Sequence, residues 1–150
     1  MAVVGKPRDA HLAAAIREYE TRASRYWPLE FHEVRESPSR SGSADLVRER
    51  EGERLLGAVP AGARIVACEL TGQAMTSEQF ARWMQDQRER ARDVAIMIGG
   101  AFGLGQNVHE RTSSTLGLAP WTLPHELARL VLAEQLYRAG TIVRGEPYHK

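Results

Sequence analysis

Four glycines, Gly99, Gly100, Gly103 and Gly105, follow directly on the apolar run Val94–Ile98. Glycine at the carboxyl end of a strand lets backbone amides approach a ligand closely, and α/β sheets bind cofactors in the crevices found there. The order is not the G-x-G-x-x-G of a dinucleotide turn, and no Gly-Lys-Ser/Thr follows to make a phosphate loop. A nucleoside-like ligand suits this turn better than a triphosphate, although a tight strand exit would use the same glycines.

His125 follows Pro124, where a helix is expected to open. An imidazole there can accept a proton or a hydrogen bond, or make only local contacts. His11, His32 and His109 lack the spacing of metal ligands, and no metal site is expected. The last residues, Arg144-Gly145-Glu146-Pro147-Tyr148-His149-Lys150, end in an aromatic, an imidazole and a cation. That set suits stacking on an unpaired base and neutralising phosphate, whereas terminal residues elsewhere often simply fray. Arg129 and Glu126 are close enough to pair, and Glu134 is an odd charge that needs a partner if buried. Cys68 reads as a small core residue rather than a nucleophile.

The chain of 150 residues is the size of one domain, with no linker or internal repeat to divide it. Its 43% hydrophobic and 26% charged residues are those of a soluble globular protein. No stretch approaches the roughly 20 apolar residues that span a bilayer. Residues 1–6 are too short and too weakly apolar for a secretory signal. The single cysteine excludes an internal disulfide, so a reducing cytoplasm is expected. A formal net charge of +1 means that any RNA-binding surface must come from local sorting of basic residues.

Short β-rich runs alternate with longer helical ones, the pattern of an α/β layered domain with a mostly parallel sheet. Ala2, Val3 and Val4 form a first strand closed by Gly5. Leu12, Ile16 and Tyr19 recur at helical spacing and predict a helix over 9–23. Leu29, Phe31 and Val34 suggest a short strand, 36–43 a loop, and 45–56 a second helix. Ile65, Val66, Ala67 and Cys68 run together inside an expected strand over 64–70, covered on both faces. Thr76 and Gln79 match a capping box that opens a helix ending near Arg92. After Val94–Ile98 and a short polar segment come residues 116–123, then Pro124 at the start of a last helix. Leu127, Leu130, Val131, Ala133, Leu136 and Tyr137 make that helix apolar around much of its circumference.

Several blocks in fixed order carry a resemblance over essentially the whole chain. They are Glu51-Gly52-Glu53-Arg54-Leu55-Leu56, Glu69-Leu70-Thr71-Gly72, Ile98-Gly99-Gly100-Ala101-Phe102-Gly103-Leu104, Thr122-Leu123-Pro124-His125-Glu126-Leu127-Ala128-Arg129, Glu134-Gln135-Leu136-Tyr137-Arg138-Ala139 and the terminal heptapeptide. Together they resemble the knotted SPOUT class of SAM-dependent RNA methyltransferases, and within it the family that methylates a pseudouridine in large-subunit ribosomal RNA. The resemblance implies a SPOUT (α/β-knot) fold whose C-terminal part is threaded into a trefoil knot, an exception to the usual avoidance of knots. It implies a homodimer with the last helix in the interface and active sites that borrow groups from the partner. S-adenosyl-L-methionine would be held near Cys68, Glu69 and Leu70, at Gly99, Gly100 and Gly103, and along Leu118, Ala119, Pro120, Trp121, Thr122 and Leu123. The substrate implied is N3 of a pseudouridine in 23S rRNA within the ribosome.

On that reading Arg138, Tyr148, His149 and Lys150 hold the nucleotide, and His125 or His149 assists loss of the N3 proton. The sequence departs from the family in a shorter first strand, which would trim the outer part of the sheet. It also departs at Cys68, where leucine is common, and at Trp121, bulky for its loop. Four other readings compete: the same fold acting on another RNA, a non-catalytic RNA-binding module, a dinucleotide-dependent oxidoreductase, and a purely structural dimerisation protein. A dimerisation protein would fit the apolar last helix but leave the histidine- and arginine-bearing tail without a role. The module would not need a glycine-lined pocket. The oxidoreductase would need a glycine turn near the first strand and an acidic residue about 20 positions on.

Overall fold

The computed structural model describes residues 1–38 and 42–149. Part of the loop expected over 36–43, and Lys150, lie outside the described residues. The elements run β1 (Ala2–Val4), α1 (Ala10–Ala23), β2 (His32–Val34), α2 (Ala44–Gly57), β3 (Arg64–Ala74), α3 (Ser77–Glu89), β4 (Val94–Ile98), α4 (Gln106–His109), β5 (Thr112–Gly117) and α5 (His125–Val143). The strands form one parallel sheet in the order β2-β1-β4-β3-β5.

Strand alternation sends side chains to both faces, and helices cover both. Val3, Val66, Ile96 and Ile98 pack on one face against Trp27, Phe80, Leu132 and Leu136, contributed by α3, α5 and the turn after α1. Ala2, Val4, Ile65, Ala67, Ala95 and Met97 pack on the other against Leu55 and Val108 of α2 and α4. Two covered faces explain why the interior strands are continuously apolar rather than alternating. The short first strand is not an outer one. β1 lies between β2 and β4, fully buried, so its three residues stand inside the sheet.

Helix starts follow local chemistry. Asp9 and Ser43 accept hydrogen bonds from Leu12 N and Leu46 N at 2.8 and 3.3 Å, each satisfying a free first-turn amide. Thr76 and Gln79 form the expected capping box, their two bonds measuring 3.2 and 2.8 Å. Pro124 is the N-cap of α5, so the helix begins one residue later, at His125. α5 packs between α1 and α3, and Trp27 Nε1 donates to Leu136 O at 2.8 Å. No helix among the described residues is long and apolar enough to cross a membrane.

Two features differ from the sequence reading. β3 continues to Ala74, and the polar segment after the glycine turn folds as α4 and β5. β5, rich in Ser and Thr, is an edge strand ordered by pairing with β3 rather than by an apolar pattern of its own. That pairing is irregular. Leu116 pairs with both Cys68 and Gln73, so the four residues between them leave the ladder.

Candidate active site

A cavity of about 790 Å³ opens where β3, β4 and β5 deliver their chains to the glycine turn and the segment before α5. Cys68, Glu69 and Leu70, at the excursion of β3, form one wall; the turn from Ile98 to Leu104 forms another. Leu118, Ala119, Trp121, Thr122 and Leu123, followed by Pro124 and His125, complete it. All the cofactor positions expected from sequence line this cavity except Pro120, which belongs to the same segment but not to the lining. Such a recess, largely apolar and floored by glycine, fits a nucleoside-like ligand.

The glycines are required by close approach. A Cβ on Gly99 would stand 2.5 Å from the carbonyl carbon of Gly103 and 2.6 Å from its oxygen. Gly103 has φ +83°, and its N–H donates to Gly100 O at 3.0 Å, closing the turn. Behind it a Cβ on Gly100 would meet Glu51 Oε2 at 2.6 Å. Glu51, on α2, is 3% exposed; its Oε1 accepts from Ser37 N at 2.7 Å, while its Oε2 has no hydrogen-bond partner. α2 supports the turn elsewhere too. Arg48 Nη1 donates to Phe102 O at 3.5 Å, and Glu49 Oε1 accepts from Gln106 N at 2.6 Å. Neither Glu51 nor this bracing role of α2 follows from residue spacing, although Glu51 belongs to the block quoted for the resemblance.

Two carboxylate–imidazole contacts stand at the cavity. His109 Nε2 lies 3.2 Å from Glu69 Oε1, a pairing that spacing did not suggest because 40 residues separate the two. His125 Nε2 has no hydrogen bond and lies 3.7 Å from Glu36 Oε1, whose second oxygen accepts from Arg8 Nη2 at 2.8 Å. Glu126 accepts from the Arg8 amide at 3.2 Å, so it does not pair with Arg129 as its spacing allowed.

Desolvation, with a smaller contribution from the Glu69 carboxylate, pushes the Cys68 thiol up to about 12. The folded protein thus keeps its proton while the unfolded chain loses it near pH 9, and native stability falls between those values as pH rises. At pH 8 Cys68 is expected to react with iodoacetamide at least tenfold more slowly in the native protein than in denaturant, the thiolate being the nucleophile. Equal rates by mass spectrometry would contradict a thiol held protonated in the native protein.

Of the other expected catalytic positions, Arg138, Tyr148 and His149 gather elsewhere, and Lys150 lies outside the described residues. Glu134 Oε1 accepts from Arg138 Nε at 2.9 Å, Arg138 Nη2 at 2.6 Å and Tyr148 OH at 3.1 Å. The odd charge of α5 is therefore partnered. His149 Nε2 lies 2.7 Å from Glu78 Oε1, and the Arg138 guanidinium is 4.7 Å from the Tyr148 ring centroid. The Thr76 hydroxyl, Glu78's own backbone amide and His149 hold the Glu78 carboxyl down at about 2. Arg138 stands thirteen residues beyond His125, about 20 Å along the helix axis. One chain therefore presents two separate clusters: His125 with the cavity, and Arg138 with Tyr148 and His149. No group of three metal-ligating side chains occurs among the described residues.

A family described as predicted SPOUT methyltransferase matches residues 1–149. The chain belongs to the SPOUT methyltransferase family. Its parallel sheet flanked by helices is the α/β fold of that family. Among relatives of this SPOUT chain, the ribosomal RNA large subunit methyltransferase H of Gemmatimonas aurantiaca is 65% identical over 148 residues, covering 99% of this chain and 96% of that protein. The protein of the same name from Anaeromyxobacter sp. strain Fw109-5 is 46% identical over 147 residues, covering 98% and 95%. That from Syntrophotalea carbinolica is 38% identical, covering 97% and 94%. The solved structure of TrmJ from Z. mobilis ZM4 superposes with a TM-score of 0.50 at 18% identity, over 99% of this chain and 71% of the other, a likeness of fold.

Proposed function

We propose that this protein is an S-adenosyl-L-methionine-dependent methyltransferase of ribosomal RNA, acting on N3 of a pseudouridine in 23S rRNA of the large subunit. The observation that carries the reading is the glycine-floored cavity, in which side chains are excluded at Gly99 by backbone 2.5 Å away. Relatives up to 65% identical over nearly their whole length, all named large subunit methyltransferases, support the substrate class. One domain would carry the activity, in the cytoplasm.

Cys68 to Leu70, Gly99, Gly100, Gly103 and the segment from Leu118 to Leu123 would hold the cofactor among loops threaded as a trefoil knot. When bound, S-adenosylmethionine supplies an electrophilic methyl group. What remains for the protein is alignment for in-line attack and removal of the N3 proton. Arg138 and Tyr148, fixed by Glu134, would hold the nucleotide with His149 and Lys150. The roughly 20 Å between the two clusters of one chain supports a homodimer in which the partner's tail completes each cavity. His125, with its unbonded Nε2 at the cavity, and His149 are the candidates for proton removal.

The test is methyl transfer from labelled S-adenosylmethionine to ribosomes lacking the modification, beside naked rRNA. Transfer mapping to a pseudouridine N3 is expected. Arg138→Ala is expected to lower single-turnover transfer by at least tenfold, since a charge-assisted hydrogen bond is worth about 1.5–3 kcal/mol. Alanine at His125 and at His149 should give unequal losses. Equal small losses would remove histidine from the proton transfer. Cofactor binding without transfer would redirect the search to another RNA; no cofactor binding would leave shared ancestry without shared activity.

A further inference from the structure

Charge is sparse in the cofactor cavity. Among the described residues that line it stand one carboxylate, Glu69, and two imidazoles, His109 and His125, with no lysine or arginine. Glu69 is the first residue of the excursion in which β3 leaves its ladder with β5, between Cys68 and Gln73. That detour sets its side chain in the cavity wall. His109, the last residue of α4, meets it there, with Nε2 3.2 Å from Glu69 Oε1. Both side chains are partly exposed, so the pair is not sealed away from a ligand.

The charge of Glu69 is felt inside the recess. Burial does most to push the neighbouring Cys68 thiol up to about 12, and the Glu69 carboxylate adds to it. A second anion is opposed at this wall, and the same field favours a cation. Two positive groups of S-adenosylmethionine could answer to it. Its ammonium belongs to a zwitterionic amino acid, and no basic side chain of the lining takes the carboxylate of that end. Its sulfonium is a fixed positive charge with no counter-ion of its own.

We propose that Glu69 is the specificity-determining carboxylate of this cavity, favouring the cationic sulfonium donor over the uncharged thioether of its product. The inference rests on the methyltransferase reading and adds how donor and product are told apart. Transfer breaks the S–CH3 bond, leaves its electron pair on sulfur and gives the methyl group to the attacking nitrogen, which has lost its proton. The positive charge disappears in that step, and with it the attraction to Glu69. Product is then held less tightly than fresh donor, which clears the site for the next turnover. A glycine-floored, largely apolar recess makes one charge effective, because little else in it competes.

Calorimetry at pH 8 and low ionic strength tests the proposal on the full chain with four ligands. They are S-adenosylmethionine, sinefungin, S-adenosylhomocysteine and 5′-methylthioadenosine. Sinefungin carries an ammonium where the donor carries its sulfonium, and methylthioadenosine lacks the amino acid. Glu69→Gln should weaken the first two at least tenfold and the last two far less. A compact cavity of 790 Å³ is about 11 Å across, and unit charges that far apart at an effective dielectric of about 20 attract by about a factor of ten.

Glu69→Asp, which restores the charge, should recover most of the preference, a result that a misfolded variant cannot give. His109→Gln leaves the carboxylate in place and should keep the preference. Equal losses for all four ligands assign Glu69 to the shared adenosine, and losses for all but methylthioadenosine assign it to the amino-acid ammonium. Either result overturns charge selection, and so does an unchanged preference in Glu69→Gln. Wild type that binds none of the four counts against the methyltransferase reading itself.

Discussion

Replacing Arg129 with methionine is expected to lower the stability of the native state by about 3–5 kcal/mol, because it leaves buried carboxylate charge uncompensated. Arg129 is 5% exposed on α5, and Glu20 of α1 is 8% exposed. Arg129 Nε donates to Glu20 Oε1 at 2.8 Å, and its Nη1 donates to Glu33 Oε1 of β2 at 2.5 Å. The guanidinium therefore ties the last helix to the first helix and to the edge strand of the sheet. Burial opposes its charge, but hydrogen bonds to Glu20 and Glu33 outweigh that opposition and its pKa moves up.

For a chain of this size the loss corresponds to a fall in Tm of roughly 6–20 °C, at about 2–4 °C per kcal/mol. Adding Glu20→Gln to Arg129→Met should recover part of the loss, since the cost lies in the stranded charge rather than in the absent bond. A Tm within 2 °C of wild type for Arg129→Met, on the same scale, would mean that water reaches Glu20 and the triad contributes little. The two single variants and the double variant, melted together, separate these accounts.

Gly99→Ala is expected to weaken binding of S-adenosylhomocysteine by about 100-fold while lowering Tm only modestly. An added Cβ would meet the backbone carbon and oxygen of Gly103 at 2.5 and 2.6 Å, and Leu104 N at 2.9 Å. These are backbone atoms, so no side chain can swing away. The turn itself must move, and displacing a cradle by about 1 Å is enough for an effect of that order. The φ of Gly99 is not in the left-handed region, so the effect would come from contact rather than from backbone strain. Calorimetry with S-adenosylhomocysteine reads the result directly. Wild-type affinity in Gly99→Ala would show that the ligand does not use this turn. Gly62, where nothing lies within 4 Å of an added Cβ and the cavity is distant, gives a control whose only strain is its φ of +88°.

The sequence by itself determined the outline. The capping box of Thr76 and Gln79 marks a helix start through bonds between neighbours three positions apart; Asp9 and Ser43 cap by the same local chemistry, which the structure brought out. The apolar runs of β3 and β4 announce strands covered on both faces. The quoted blocks point to the SPOUT family, and the glycine turn after β4 is legible because its requirement is local. β5 was not legible. Its Thr-Ser-Ser-Thr run has neither apolar period nor charge, and it is ordered by a partner strand some 47 residues away.

Only the tertiary structure decided which groups meet. Glu134 with Arg138 lies within helical reach, but its bond to Tyr148, the pairing of His149 with Glu78 and that of His109 with Glu69 depend on chain crossings no local spacing encodes. The same holds for Arg129, whose spacing pointed to Glu126 and whose packed partners are Glu20 and Glu33. A spacing rule assigns partners along one exposed face, whereas α5 is wedged between α1 and α3 and meets other elements on both sides. The separation of His125 from Arg138 is likewise a matter of helix geometry. Once both stand on one straight helix thirteen residues apart, about 20 Å divides them, and the sequence order of the two says nothing about which cavity each will serve.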